Sequence, residues 1–200
     1  MKGLSIEKKS FEIIEKKACL DGFTDKQKEI VKRIIHASGD LSIAEEIVFS
    51  KNATETAEKS IKEKWNVVCD VNMVVSGITE AFANKFGLKL YSFIHNKEVI
   101  EKAKRENKTR AEVSIEVANE MFDKIFFVIG NSPTALLKII QLHNEGRLKE
   151  SFIIAFPVGF VDAYESKKKL TETDLEYITN LSTKGGSPWA AAAFRAILKL

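Results

Sequence analysis

A histidine stands near the end of an apolar helical pattern, in the stretch Ile34–Asp40 that reads IIHASGD. Gly39 is a typical residue for ending a helix, so His36 is predicted to lie in the last helical turn. The negative end of the helix dipole there favours a protonated ring. The position suits a general acid–base residue. From the spacing alone, however, a histidine that only hydrogen-bonds at a helix end is the more ordinary interpretation.

The helix that carries His36 has a clear beginning. Thr24 and Gln27 have the spacing of a capping box, and isoleucine and valine follow at helical intervals. Ser42 and Glu45 have the same spacing, which predicts another helix that continues through Val48. Further helices are predicted over residues 5–20, 54–64, 72–85, 98–121 (as one helix or two), 133–144, 162–170 and 188–199.

Short apolar runs bounded by polar residues lie between these helices and predict buried strands. They cover residues 66–70, 90–94, 125–129, 152–156 and 175–178. Strands that alternate with helices are typical of a parallel sheet that is covered on both faces. We therefore predict an α/β fold with three layers, α/β/α, around a five-stranded parallel sheet. Residues 1–200 are expected to form a single domain.

The turns after these strands are the expected ligand site, because ligands bind beyond the carboxyl ends of parallel strands. Glycines occur in three of these turns, where bare backbone N–H groups can bind carboxylate or phosphate oxygens. The turns contain residues 130–134, 157–160 and 184–188. The two commonest phosphate-binding motifs, GxGxxG and GxxxxGK[ST], are not found, and neither is the hydrolase motif GxSxG. The residues alone thus predict an α/β enzyme with a glycine-lined anion site and one candidate histidine.

Composition excludes several other classes. With 44% apolar and 30% charged residues, the chain is neither disordered nor membrane-spanning. The N-terminus has no apolar run that would act as a signal peptide, so we expect a cytoplasmic location. No His, Cys, Asp or Glu cluster has metal-ligand spacing, and Cys19 and Cys69 are expected to be free, buried thiols. The net charge of +3 is spread along the chain, which disfavours a nucleic-acid partner.

Several stretches together resemble the precorrin-8X methylmutase family, which includes the cobalt-precorrin-8 enzymes. The similar stretches are Lys9–Phe11, Ile34–Gly39, Cys69–Val74 with Gly77 and Ile78, Asn107–Arg110, Ile129–Leu136, Pro157–Val161 with Glu165–Lys167, and Gly185–Ser187 with Ala190–Ala193. They occur in the family's order and at its approximate spacing. The resemblance covers roughly residues 5–198 of the chain.

The resemblance implies an isomerase of cobalamin (corrin) biosynthesis. Such an enzyme moves a methyl group from C-11 to C-12 of the precorrin-8 macrocycle, a tetrapyrrole, and gives hydrogenobyrinate or its cobalt form, cobyrinate. It further implies a flavodoxin-like fold, a homodimer with the ligand near the subunit interface, and no organic cofactor. The catalytic residue maps onto His36 and a substrate-contacting serine onto Ser10, and Arg110 matches the family's Thr-Arg motif. The Arg110 guanidinium is predicted to bind a substrate carboxylate.

Other substrate contacts are predicted in the glycine turns, where N–H groups would bind substrate carboxylates. These residues are Gly130, Asn131, Ser132, Thr134, Gly159, Phe160, Gly185, Gly186 and Ser187. Lys167 and Lys184 are further candidates for neutralising carboxylates, although most lysines have no specific partner. Asp70 and Asp162 are interpreted as helix caps. Histidines other than His36 are interpreted as structural; they are His95 and His143.

Residues Asp40, Pro188 and Trp189 depart from the family's pattern, so their contacts are not predicted. Two other functions are compatible with parts of this pattern. A non-catalytic tetrapyrrole-binding or carrier protein would bind the same ligand, and the intact His36 argues against it. A methyltransferase of the same pathway would require S-adenosylmethionine, for which no glycine-rich loop is visible.

Overall fold

The computed structural model describes residues 2–200 and contains one mixed sheet with helices on both faces. The strands are β1 (Ile47–Phe49), β2 (Asn66–Cys69), β3 (Leu90–Tyr91), β4 (Lys124–Ile129), β5 (Glu150–Ala155) and β6 (Glu176–Asn180). Their order across the sheet is β1-β6-β5-β4-β2-β3. Strands β2 to β6 are parallel, and β1 pairs antiparallel with β6 at one edge.

The helices cover most of the predicted segments. They are α1 (Lys2–Lys17), α2 (Asp25–Ser38), α3 (Ala53–Lys62), α4 (Asn72–Ile78), α5 (Glu80–Asn84), α6 (Lys97–Glu106), α7 (Arg110–Met121), α8 (Pro133–Asn144), α9 (Ala163–Thr171) and α10 (Ser187–Ile197). A short 3₁₀ helix spans Leu41–Glu45. No helix within residues 2–200 is both long and apolar enough to span a membrane.

Two hydrophobic cores lie on opposite faces of the sheet, as the alternation of side chains along a strand requires. In β4, Phe126 and Val128 enter one core, whereas Ile125, Phe127 and Ile129 enter the other. Buried residues of α1, α2, α3, α4, α5 and α10 complete the first core. Those of α6, α7, α8 and α9 complete the second. The α/β class and the covering of both faces are thus confirmed.

The prediction of five strands in a purely parallel sheet is wrong at one edge. The segment predicted to be a helix starting at Ser42 is the 3₁₀ helix followed by β1. The 3₁₀ helix is capped by Asp40, whose side chain accepts a hydrogen bond from the Ser42 N–H. The predicted Ser42–Glu45 capping box is therefore wrong. The open edge of β6 then pairs with Ile47–Phe49, since apolar β-branched and aromatic residues suit a strand.

Two smaller predictions also need correction. Residues 72–85 form two helices, α4 and α5, because Thr79 adopts a left-handed φ of 66° between them. Of the two cysteines, both free, Cys69 is buried but Cys19 is exposed. The predicted segment 98–121 forms two helices, α6 and α7. The other helix and strand predictions agree with the structure to within a few residues.

Candidate functional site

Helix α2 carries His36 in its last turn. The Thr24–Gln27 capping box is formed at its start, and Gly39 ends it with a left-handed φ of 73°. The inner face of the helix is buried and consists of Ile30, Val31, Ile34 and Ile35. This packing fixes the backbone of the helix. The side chain of His36 is exposed. Its position at the helix end is therefore as predicted.

Helix α1 holds the imidazole through two consecutive residues. The Ser10 hydroxyl lies 2.9 Å from His36 Nδ1, and the Phe11 ring stacks on the imidazole with centroids 5.2 Å apart and an interplanar angle of 22°. Within residues 2–200, His36 Nε2 makes no hydrogen bond. The ring is thus anchored through Nδ1 and one face, while Nε2 is left for a ligand.

Ser10, Phe11 and His36 form a group that we call the His36 cluster. Arg33 extends it by one helical turn, because residues three apart lie on the same helix face. Its guanidinium lies 4.5 Å from the centroid of the Phe11 ring. It also pairs with Glu7 of α1, and this hydrogen bond lowers the pKa of the Glu7 carboxyl. The sequence interpretation named neither Glu7 nor Arg33. Their i to i+3 relation to Ser10 and His36 was the available signal.

A cavity of about 400 Å³ lies between α2, α4 and α10. Its wall is mainly apolar, with a guanidinium from α2 and another from α10. The lining residues are Arg33, Met73, Gly77, Ser187, Pro188, Ala191, Ala192 and Arg195. Helices α4 and α10 approach closely beside it, since a Cβ on Gly77 would lie 2.8 Å from Ala191 Cβ. Arg33 joins this cavity to the His36 cluster.

The turn after β4 is bound by a buried carboxylate of the protein itself. Asp70 is 1% exposed, and it accepts hydrogen bonds from the backbone N–H groups of Gly130, Asn131 and Ser132 at 3.0, 2.7 and 2.7 Å. Burial raises the pKa of Asp70, although the N–H donors oppose this shift. Asp70 is therefore not the cap of α4, which begins after Val71.

This contact corrects the predicted role of these N–H groups, because they are not free to bind substrate carboxylates. The exposed side chain of Asn131 and the hydroxyl groups of Ser132 and Thr134 remain at this edge of the sheet. The two hydroxyl groups lie 2.9 Å apart.

Arg110 is brought to the same edge by a hydroxyl pair. Thr109 caps α7 with a complete capping box, and its Oγ1 lies 2.9 Å from Thr134 Oγ1. Arg110 follows directly, is exposed, and forms no ion pair within residues 2–200. It is thus available to an anionic ligand.

The remaining glycine turns bind each other. Gly159 N–H donates to the Thr183 carbonyl at 3.1 Å, and Gly186 N–H donates to the Phe156 carbonyl at 2.8 Å. A Cβ on Gly185 would lie 2.3 Å from that Phe156 oxygen, so glycine is required for this close approach. The predicted anion contacts through the N–H groups of Gly159 and Gly186 are consequently wrong.

Both candidate lysines have partners within the fold. Lys167 is buried and donates to Asn180 Oδ1 at 3.0 Å and to the Lys184 carbonyl at 2.7 Å. Lys184 Nζ pairs with Asp40 at 2.9 Å and with Glu46 at 3.2 Å. The bonds from Ser42 and Lys184 hold the pKa of Asp40 at about 2. Neutralisation of substrate by these lysines is therefore not supported.

The structure also places the other residues singled out from the sequence. Pro188 lines the cavity, and buried Trp189 meets Phe156 edge to face with centroids 6.1 Å apart. His143 Nε2 lies 2.7 Å from Asp174. Asp162 occupies the N-cap position of α9 without a side-chain capping bond, so the predicted cap is wrong. His95 is exposed.

The cavity beside His36 and the candidate residues of the turn after β4 are brought together at Gly130. A Cβ there would lie 2.7 Å from Ser187 Cα and 2.9 Å from Val74 Cγ2. The turn after β4 is thus packed directly against the start of α10, which lines the cavity. The turn follows β4, whose neighbour in the sheet is β2. The strand order reverses between these two strands, and ligands of such sheets bind at that point.

The fold and site define an α/β enzyme that offers one anchored imidazole beside an apolar cavity with cationic side chains. The family described as precorrin-8X methylmutase matches residues 5–200, and the chain belongs to that family. It is accordingly a methylmutase, an enzyme of the isomerase type.

Curated relatives and a solved structure agree with this assignment. The chain is 42% identical over 192 residues to a cobalt-precorrin-8 methylmutase of Priestia megaterium, covering 96% of this chain and 85% of that protein. It is 39% identical to the cobalt-precorrin-8 methylmutase of Leptospira interrogans, with 99% and 94% covered. The crystal structure of precorrin-8X methyl mutase from Thermus thermophilus has a TM-score of 0.88 and 30% identity, with 98% of this chain and 95% of that chain covered.

Proposed function

We propose that this chain moves the methyl group from C-11 to C-12 of precorrin-8, with the cobalt complex as its natural substrate. The observation that carries the proposal is the exposed His36 ring, anchored through Nδ1 to Ser10, one helical turn from a residue of the apolar cavity. The preference for cobalt rests on the names of the relatives from Priestia megaterium and Leptospira interrogans.

His36 is the catalytic acid–base residue in this proposal. Its Nε2 donates a proton to the conjugated macrocycle, which makes the migration terminus more electron-poor. The methyl group then moves within the molecule, and Nε2 takes the proton back, so no atom is gained or lost. The Ser10 hydroxyl accepts from Nδ1–H throughout and keeps the ring oriented. General acid–base catalysis of this kind contributes about 10²–10⁴-fold.

Substrate binding is assigned to side chains around the cavity and the carboxyl edge of the sheet. The Arg110 guanidinium suits a bidentate contact with a substrate carboxylate. Five other residues remain proposed substrate contacts, namely Asn131, Ser132, Thr134, Phe160 and Ser187. The backbone of Gly185 and Gly186 is also proposed to lie against the substrate. Arg33 is added to this set, because it lines the cavity.

The finer description of the assembly is proposed as well. The five parallel strands follow the order β3-β2-β4-β5-β6, which supports a flavodoxin-like arrangement. A homodimer is supported by exposed apolar side chains at the carboxyl edge, namely Val158, Phe160 and Val161. A cytoplasmic location remains the expectation from the sequence.

The decisive experiment compares the wild type with a His36→Ala variant. Each is incubated with precorrin-8X or its cobalt complex, and the migrated methyl group is followed by NMR. We expect the variant to bind the coloured substrate normally and to lose about 10²–10⁴-fold in kcat. His143→Ala is the matched control, because His143 pairs with Asp174 at the end of α8.

Three outcomes would contradict parts of the proposal. Wild-type turnover by the His36→Ala variant would remove the catalytic role of His36. Binding without turnover by the wild type, with both substrates, would instead indicate a tetrapyrrole carrier. Faster turnover of the cobalt-free substrate would overturn the proposed preference for cobalt.

A further inference from the structure

Arg195 occupies the end of the cavity that is formed by α4 and α10. Its guanidinium lies 4.5 Å from the centroid of the Phe82 ring. Nη1 donates to the Ile78 carbonyl at 3.1 Å and to the Gly77 carbonyl at 3.4 Å. These contacts fix the guanidinium at the carboxyl end of α4 and leave its Nε and Nη2 edge without a protein acceptor within residues 2–200.

The charge of Arg195 is not compensated by a carboxylate in the described part of the chain. Two other cations near the cavity have carboxylate partners, since Arg33 pairs with Glu7 and Lys184 pairs with Asp40 and Glu46. Arg195 is half-buried, and the cavity wall beside it is apolar. A partly desolvated guanidinium in such a place binds a carboxylate more strongly than an exposed one does.

The position of Arg195 on α10 directs it into this cavity. Ala191 and Ala192, four and three residues earlier, line the same cavity, and residues at these spacings share one helix face. Small alanine side chains leave room for a flat ring, and the guanidinium meets the rim of that ring. The apolar wall of the cavity and the guanidinium of Arg195 together suit a conjugated macrocycle that carries peripheral carboxylates.

We propose that Arg195 is a substrate-binding residue that holds one peripheral carboxylate of the tetrapyrrole through its Nε and Nη2 edge. This proposal rests on the proposed function, because it takes the substrate of that same site. Arg195 stabilises the bound substrate and takes no part in proton transfer. Loss of its carboxylate contact therefore raises KM and leaves kcat within a small factor.

The test compares Arg195→Gln and Arg195→Lys with the wild type. For each protein, kcat and KM of methyl migration, Kd for the tetrapyrrole product by absorbance titration, and Tm are measured. We expect Arg195→Gln to raise KM and Kd about 10–100-fold, since hydrogen bonds to charged groups are of that strength. Arg195→Lys should give an intermediate rise, because an ammonium keeps the charge but loses the bidentate contact. Raised salt should weaken wild-type binding more than that of Arg195→Gln.

Arg147→Gln is the matched control, because Arg147 pairs with Glu145 beyond the end of α8 and should leave KM and Kd unchanged. A lower Tm for Arg195→Gln with unchanged KM and Kd would overturn the proposal and reduce Arg195 to a cap of α4. If Arg195→Gln does not fold, an Arg195→Lys variant with wild-type KM and Kd overturns it equally. Weaker product binding by the variants together with no turnover by the wild type would refute the proposed function and leave the carboxylate contact standing.

Discussion

The imidazole of His36 depends on a neighbour for its orientation. Ser10 reaches Nδ1 from α1, while the Phe11 ring covers one face. A ring that is held at Nδ1 presents Nε2 in a single direction, which a proton donor to a fixed macrocycle requires. In the proposed mechanism Ser10 is thus a positioning residue for His36, in addition to its predicted contact with substrate.

Removal of the Ser10 hydroxyl should therefore lower kcat more than it changes KM. For Ser10→Ala we expect a fall in kcat of about 10-fold, because this rate change corresponds to roughly the free energy of one hydrogen bond. Ser10→Thr keeps a hydroxyl and should restore most of the activity. A Ser10→Ala variant with raised KM and an unchanged kcat would mean that Ser10 does not act through His36.

Single residues could be predicted from the sequence only where local pattern determines their place. His36 follows from helix spacing and Gly39. The role of Asp70 does not, because it depends on the approach of the turn after β4, 60 residues along the chain. Arg195 likewise acquires its place from the packing of α10 on α4, which no local spacing specifies.

At the scale of elements, α9 is joined to the loop after β6 by a buried amine. Lys167 donates to Asn180 and to the Lys184 carbonyl. Loss of solvation lowers the pKa of Lys167 to about 8 from its ordinary 10.5. A protonated Lys167 is therefore less favourable in the folded protein than in the unfolded chain.

This shift predicts a pH dependence of stability. Between about pH 8 and the ordinary lysine pKa, the unfolded state binds more protons than the native state, so stability from this group rises with pH. The unfolding free energy of the wild type minus that of Lys167→Met should then increase by about 1 kcal/mol from pH 7 to pH 9. Groups common to both proteins, such as Cys69, cancel in this difference.

Urea denaturation at several pH values measures the effect. Lys168→Met is the matched control, since Lys168 neighbours Lys167 on α9 but is exposed, and its difference from the wild type should be independent of pH. A flat difference for Lys167→Met as well would show that the buried amine keeps its ordinary pKa.

Most elements were predictable because periodicity and capping are local. The helix that begins at Thr24 is one example, and the buried strand at residues 125–129 is another. Strand β1 was not predictable, because Ile47–Phe49 becomes a strand only through pairing with the edge of β6. A few residues with mixed spacing take the conformation that tertiary pairing stabilises.

At the scale of the whole molecule, the candidate residues of the turns after the strands lie at the carboxyl edge of the sheet. Helix α10 links the His36 side to the turn after β4 through its packing on α2 and α4 and its contact with Gly130. The loop after β5 extends the same edge outward, with Phe160 93% and Val161 78% exposed. Adjacent apolar side chains so exposed are typical of a protein interface.

If this loop lies in the proposed dimer interface, a charge there should weaken the dimer. Phe160→Glu would place a carboxylate in a desolvated contact, which is costly without a partner. We expect the dimer Kd to rise at least about 10-fold, measured by sedimentation velocity over a dilution series. Because the resemblance places the ligand near the subunit interface, specific activity should fall on the same dilution.

Met121→Glu is the control for the general effect of a new surface charge. Met121 is also exposed, at 57%, but it ends α7, just before β4 and thus at the amino edge of the sheet. That variant should keep the wild-type dimer and activity. A Phe160→Glu protein that remains dimeric at every dilution would place the interface elsewhere. A monomer with full activity would instead show that each site is complete within one chain.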